Sequence, residues 1–278
     1  MIMQPKLLKD IFGKTKPIIG MVHFGALPGS PLYDNVAGVD GILKALEHDL
    51  FALQDCGIDA VMFGNENDRP YELEVSPATI STMSYCIGRL APFIRVPFGI
   101  DVLWDPIATI AVAKATGAQF AREIFTGIFG GDLGFWNTNC GKALRFKNAI
   151  QAQKLILLFN INAEFACSLS NRSIDDVARS VVLSSLPDIV CVSGGITGEE
   201  VKISTLQMVK SAIPDTPVFA NTGVNLDNVS DILAVADGVV VGTSLKRDGI
   251  TWNEVDQTRV TKFMEKVNSI RGKEPITT

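Results

Sequence analysis

Short apolar runs alternate with amphipathic stretches eight times along this chain, and few architectures accept that pattern. The runs fall at residues 17–23, 60–64, 97–101, 119–123, 155–160, 188–192, 217–221 and 238–241. They are rich in Val and Ile and bounded by Gly, Pro, Asn or Asp, as strands are. The stretches between them, such as 36–56, 107–115, 174–183 and 201–212, place apolar residues at helical spacing. Ile42, Ala45, Leu46, Asp49 and Leu53 trace one such face, apolar apart from Asp49; Met264, Val267 and Ile270 mark a final helix. Strands apolar on both faces and separated by helices form a parallel sheet. Eight βα units close that sheet, so residues 1–278 are expected to form a single (β/α)8 TIM-barrel domain. A doubly wound open sheet would place a G-x-G-x-x-G turn after the first strand, where this chain has Phe24-Gly-Ala-Leu-Pro-Gly-Ser-Pro31.

Bulk properties narrow the function classes. A chain of 278 residues buries about 75% of its unfolded surface, so its core needs neither disulfide nor metal. A net charge of −5 argues against a nucleic-acid partner held by a basic face, but not against a small anion. Cys56, Cys86, Cys140, Cys167 and Cys191 are odd in number and form no C-x-x-C, which fits a reducing, cytoplasmic setting. Residues 1–16 are mixed and charged, unlike a secretory signal, and no apolar run approaches the ~20 residues of an integral membrane segment.

Local signals set the boundaries. Asp105-Pro106 starts a helix, Ser173 with Asp176 resembles a capping box, and Gly57 and Gly117 close helices. The Gly- and Asn-rich stretch 126–141 is long for a βα loop and reads as a lid.

In a barrel, chemistry gathers just past the strand ends. The last two junctions, Asn221-Thr-Gly-Val224 and Gly242-Thr-Ser-Leu-Lys246, are glycine turns where helices should start. Such turns expose backbone amides at a helix's positive end, which favours phosphate. Gly223, Val224, Gly242, Thr243 and Ser244 are therefore the expected phosphate-binding residues, with Ser193 and Gly194 from the turn after the sixth strand. Lys246 and Arg247 are read either as phosphate-neutralising or as solvated cations.

The other strand ends supply candidate catalytic residues: His23, Glu66, Asp101, Arg122 and Glu164. His23 is either an acid/base group or a hydrogen-bonded filler. Glu66 and Asp68 are either site residues or turn formers. Arg122 and Glu123 have opposite parity, and Arg122 is expected to enter the barrel. Asn160, Asn162 and Glu164 would share one direction if the fifth strand stayed extended. Carboxylates, a histidine and an arginine above a phosphate clamp suit proton transfer beside a carbonyl, or carbon–carbon or carbon–oxygen cleavage. A divalent metal such as Mg2+ on Asp101, Glu66 or Glu164 is allowed, though no spacing rule supports it. The partners expected are a phosphorylated small molecule and, left open, a second copy of the chain.

Several segments together resemble the BtpA family. They are His23-x-x-x-Leu-Pro-Gly-Ser-Pro31, Asn65-Glu-Asn-Asp68-x-Pro70, Gly99-Ile-Asp-Val-Leu103, Gln119-Phe-Ala-Arg122, Gly131-Asp-Leu-Gly134, Ser193-Gly-Gly-Ile-Thr-Gly198, Asn221-Thr-Gly-Val-Asn225, and 236–238 with 242–246. The resemblance implies a TIM barrel of the ribulose-phosphate-binding kind and an unsettled activity, with SgcQ-like members beside sugar phosphotransferase components and one member linked to photosystem I. The double glycine turn and the polar strand ends point to an enzyme on a sugar phosphate or nucleotide-sugar fragment; a non-enzymatic assembly factor, which the photosystem-linked member implies, and a ligand sensor are the alternatives. Family members commonly carry an acidic residue and then Val-Lys-His after the fifth strand. Glu164 and Phe165 stand in the Lys and His positions here, which implies changed or lost chemistry if those groups are catalytic in relatives.

Overall fold

The computed structural model describes residues 4–272. Among these, eight parallel strands close into a barrel: β1 (Ile18–His23), β2 (Ala60–Gly64), β3 (Phe98–Asp101), β4 (Phe120–Glu123), β7 (Ile156–Asn160), β9 (Ile189–Val192), β10 (Val218–Ala220) and β11 (Gly238–Val241). The ladder runs in chain order and closes where Ile18, Ile19 and Gly20 pair with Val239, Val240 and Val241. The barrel expected from the pattern is thus present. Helices α2 (Gly38–Asp55), α3 (Pro77–Leu90), α4 (Pro106–Thr116), α5 (Cys140–Ala149), α6 (Ile174–Ser185), α7 (Ile203–Ala212), α8 (Val229–Val235) and α9 (Gln257–Arg271) surround it.

The period of two along each strand divides the apolar residues into two layers. Ile18, Val22, Val61 and Phe63 face outward and pack with Leu46, Leu50 and Leu53 of α2. Ile19, Met21, Met62, Phe120, Leu158 and Phe219 fill the interior. Two inward glycines make room for the aromatic rings. A Cβ on Gly99 would lie 2.2 Å from the Phe120 ring, and one on Gly238 would lie 2.4 Å from the Phe219 ring.

Several local signals act as expected. Asp105 caps α4, accepting from the Ile107 and Ala108 amides at 2.9 and 3.0 Å. Gly117 ends it with φ +78°, and Gly57 follows α2 with the same φ. Ser173 differs from the capping-box expectation: its hydroxyl donates to Asp176 at 2.9 Å instead of accepting a backbone amide. Val36 and Ala37 precede α2 and do not belong to it, because Asp34 ties their amides into a turn at 2.8 and 3.0 Å.

Two elements are additions to the pattern. The stretch expected to be a lid loop is a hairpin, β5 (Ile128–Gly131) and β6 (Gly134–Asn137), extended by β8 (Ala166–Ser168) into a small antiparallel sheet. Its inner side chains, Phe129 and Trp136, bury against Trp104 beside the barrel mouth, with the two indoles 5.3 Å apart. The second addition is α1 (Gln4–Phe12), which inserts Leu8 and Phe12 into the interior cluster. Phe12 lies 5.3 Å from the Phe120 ring and 6.2 Å from the Phe219 ring, so the two strand phenylalanines and the helix stopper the barrel from below. Truncating a buried phenylalanine removes transfer energy and leaves a cavity. Phe12→Ala should lower unfolding stability by about 3–5 kcal/mol in urea titrations; a loss below about 1 kcal/mol would show that α1 is peripheral.

Candidate active site

Above the stopper, the next inward positions are polar. Ile19 and Met21 are followed on the same parity by His23, and Phe120 by Arg122. These side chains reach a cavity of about 260 Å³ at the C-terminal mouth. His23, Glu66, Arg122 and Glu164 line one part of it; Gly223, Val224, Gly242, Thr243 and Ser244 line another.

Arg122 is almost wholly buried. Its Nη1 donates to Asn221 Oδ1 at 2.5 Å, and its Nη2 makes an ion pair with Asp101. Burial works against the guanidinium charge, but Asp101, Glu164 and Glu66 together outweigh it and raise the pKa further. Asp101 itself is fully buried and does not line the cavity; it holds Arg122 from behind. Glu123, with the opposite parity, is sealed away from the cavity and accepts from the amide of Ile124. Burial, and then the Asp101 charge, raise its pKa well above the usual carboxylate range.

Glu66 and Glu164 meet across a single hydroxyl. Thr197 Oγ1 lies 2.9 Å from Glu66 Oε1 and 2.9 Å from Glu164 Oε2. A hydroxyl has one hydrogen, so it cannot donate to two ionised carboxylates at once. Both contacts are satisfied when one of the pair carries a proton and donates it to Thr197, the state that burial favours. Burial, then the Glu164 charge, raises the Glu66 pKa from 4.5 to about 7. Burial also raises Glu164, against the opposing pull of Arg122. His23 is neutral: burial, followed by the Lys246 charge, lowers its pKa well below 6.5, against the opposing pull of the Thr251 backbone.

The two glycine junctions adjoin. Ser244 Oγ donates to the Val224 carbonyl at 2.7 Å and ties one to the other. Neither turn opens directly into a long helix, contrary to expectation. α8 begins at Val229, and β11 is followed by only a 3-10 turn, Thr243–Leu245. What the junctions offer is turn amides: those of Gly223, Val224, Thr243 and Ser244 have no protein acceptor among the described residues. Gly223 has φ +67°, and a Cβ there would come within 2.3 Å of Glu200 Cα. Arg259 of α9 also lines this part of the cavity and donates to the Ser244 carbonyl at 3.3 Å.

Other expected positions lie elsewhere. Ser193 and Gly194 do not line the cavity. The Gly194 amide is taken by Thr222 Oγ1 at 2.6 Å, and Ser193 Oγ accepts from Asn221 at 2.8 Å and bonds Glu164. Thr197 and Gly198 are the cavity residues of that turn. Asp68 caps the Leu27 amide at 3.0 Å. β7 ends at Asn160, so the shared direction of Asn160, Asn162 and Glu164 is lost. Asn160 is buried with no side-chain partner among the described residues, Asn162 bonds the Ser193 backbone at 2.8 and 2.9 Å, and only Glu164 enters the cavity. Lys246 is buried against Asp49, with Nζ 2.5 Å from Oδ2, and does not face the phosphate turns. Among the described residues no group of three or more His, Cys, Asp and Glu is arranged to hold a metal ion. Asp101 is committed to Arg122, which leaves Glu66 and Glu164 as the carboxylates that face the cavity. Sequence reasoning did not single out Thr197, although it lies in the glycine-rich turn 193–198, and it missed Arg259, which carries no local signal and reaches the site only through tertiary packing.

Residues 14–269 match the profile of the BtpA family. The "Putative sgc region protein SgcQ" of Escherichia coli (strain K12) is 47% identical, over 95% of this chain and 98% of that protein. The "Photosystem I biogenesis protein BtpA" of Synechocystis is 30% identical, over 93% and 90%. Among solved structures, one described as "Native KDPGal structure" superposes with a TM-score of 0.57 at 13% identity, over 92% of this chain and 96% of that one. KGPDC from Streptococcus mutans gives 0.55 at 13%, over 93% and 100%. Both likenesses are of fold, and no helix in the described residues is long and apolar enough to cross a membrane. With near-complete coverage by both profile and relatives, the chain belongs to the BtpA family.

Proposed function

We propose that this protein is a cytoplasmic enzyme that binds a small phosphorylated metabolite, of the sugar-phosphate type, at the barrel mouth and transfers a proton within it. The observation that carries this reading is that the residues of the Gly223 and Gly242 junctions, whose amides have no protein acceptor among the described residues, line the same cavity as the Glu66–Glu164 pair. Such amides, with Arg259 beside them, suit a phosphate dianion. A phosphate held there contributes binding energy away from the reacting atoms and orients them.

Beside it, one carboxyl of the pair is protonated and the other ionised, which supplies an acid and a base in one place. The ionised carboxylate abstracts a proton next to a carbonyl. Arg122, fixed by Asp101 and Asn221, stabilises the oxyanion that develops. The neutral partner, or neutral His23, returns a proton. Isomerase and lyase chemistry use these steps; a hydrolase would instead use the ionised carboxylate to activate a water. A second reading, an assembly factor without turnover, rests on the printed name of the Synechocystis relative; partner capture by Glu66→Gln as efficient as by the parent would favour it.

Calorimetric titration with inorganic phosphate and a panel of sugar phosphates tests the leading reading. Binding is expected, and Arg259→Ala should weaken it about tenfold, the loss of one charge-assisted contact; no binding by any phosphorylated compound would sink the proposal. The carboxyl pair makes a separate prediction. Folding favours protonated Glu66, so its contribution to stability is fully present below about pH 4.5 and is lost as the pH rises through about 7. Glu66→Gln should therefore become more stable than the parent between pH 5 and 8, by on the order of 3 kcal/mol at the upper end. A stability difference independent of pH would place the proton elsewhere.

A further inference from the structure

A second cavity, of about 440 Å³, adjoins the first, and His23 is the residue common to both linings. The first alone falls below the range usual for ligand pockets, about 300–1,000 Å³; the two together fall inside it. A ligand anchored at the glycine junctions and reacting at the carboxyl pair thus has room to continue past His23.

The charges in the second cavity are already matched. Lys246 is paired with Asp49, whose other oxygen accepts from the Val255 amide at 2.7 Å. Glu254 is paired with Arg247. A second phosphate or carboxylate would find no unmatched cation there, and an ammonium no unmatched anion. Asn67 Oδ1 already accepts from Arg69, His48 Nδ1 lies against Asp49, and Asn253 Nδ2 donates to the Arg247 carbonyl, so what remains is the Asn67 amide N–H, His48 Nε2 and Asn253 Oδ1, together with the indole of Trp252. Trp252 is 44% exposed and has the Arg69 guanidinium 3.9 Å from its ring centroid, which restrains a side chain otherwise open to solvent. Planar amides and an imidazole around a restrained aromatic ring suit an uncharged ring carrying several hydroxyls: the ring's C–H face lies on the indole while its hydroxyls bond the rim.

From this we infer that the second cavity is a glycosyl subsite, so that the substrate is a phosphorylated sugar bearing a second, uncharged sugar unit. The inference rests on the proposed phosphate site for the orientation of the ligand, but not for the recognition of the second ring.

Ala45 is an exposed position on α2 that lines this cavity, and a large side chain there fills it without touching the core. The test titrates the parent, Ala45→Trp and Trp252→Ala with the 6-phosphates of glucose, galactose and mannose. The same proteins are titrated with disaccharides carrying that phosphorylated hexose and with the unphosphorylated disaccharides. At least one phosphorylated disaccharide should bind the parent ten times or more tighter than its monosaccharide phosphate. Both substitutions should remove that gain and leave monosaccharide phosphate binding within twofold. Monosaccharide phosphates that bind with no gain from the second sugar would overturn the inference and leave the phosphate site standing. Unphosphorylated disaccharides that bind and are displaced by Ala45→Trp, with no effect of phosphate, would uphold the glycosyl subsite and overturn the phosphate reading. No binding of any of these compounds would overturn both.

Discussion

The buried ion pair between Arg122 and Asp101 is the interaction on which the upper half of this barrel depends. It joins neighbouring strands, and the guanidinium reaches across the interior to Asn221 after β10. Removing either charged partner would strand the other in a low-dielectric interior, which typically costs 3–5 kcal/mol. Asn221 in turn donates to Ser193, and Ser193 bonds Glu164. One fixed cation thus sets the positions of a carboxylate, an amide and a hydroxyl contributed by separate βα junctions. Its charge also tunes that carboxylate: Arg122 pulls the Glu164 pKa down while burial pushes it up. The glutamate pair therefore consists of two similar groups made unequal by their surroundings, as a proton-sharing pair requires.

Beneath that layer the interior is dry and aromatic. Phe120 and Phe219 occupy space that Gly99 and Gly238 leave empty, and Phe12 closes the stack. The change from apolar to polar occurs within two residues on each contributing strand, from Met21 to His23 and from Phe120 to Arg122. This step keeps the carboxyls of the mouth close to an apolar floor and accounts for the burial that dominates their pKa shifts.

Much of this was legible in the sequence. The period-two runs and the helical spacing specified the barrel; parity allowed only one of Arg122 and Glu123 inward, and the capacity of a guanidinium to pair with carboxylates or phosphate pointed to Arg122. Strand ends identified His23, Glu66 and Glu164. Glycine content was less informative. It marked Gly223 and Gly242, whose junction amides are unpaired, but equally Gly194, whose amide is consumed by Thr222; whether an amide is free is decided by residues distant in sequence. The same holds for Lys246, which looks like a phosphate ligand by position yet is drawn under α2 by Asp49, the one polar residue on that helix face. The lone acid on an apolar face was a legible sign of a buried partner. Leu8, Ile11 and Phe12 also have helical spacing, but the short, charged segment around them obscured it. The hairpin shows the alternation of Phe129 and Trp136 with exposed neighbours only once its turn at Asp132-Leu133 is known.

The stopper formed by α1 also governs traffic. With Phe12 wedged against Phe120 and Phe219, the base of the barrel is closed among the described residues, so a ligand enters and leaves on the side of the C-terminal mouth. The hairpin, whose Trp136 is buried against Trp104, stands beside that mouth. Exchange of spent for fresh ligand is accordingly a matter of queueing at one rim, and the residence time of whatever occupies the site is set there and not at the base.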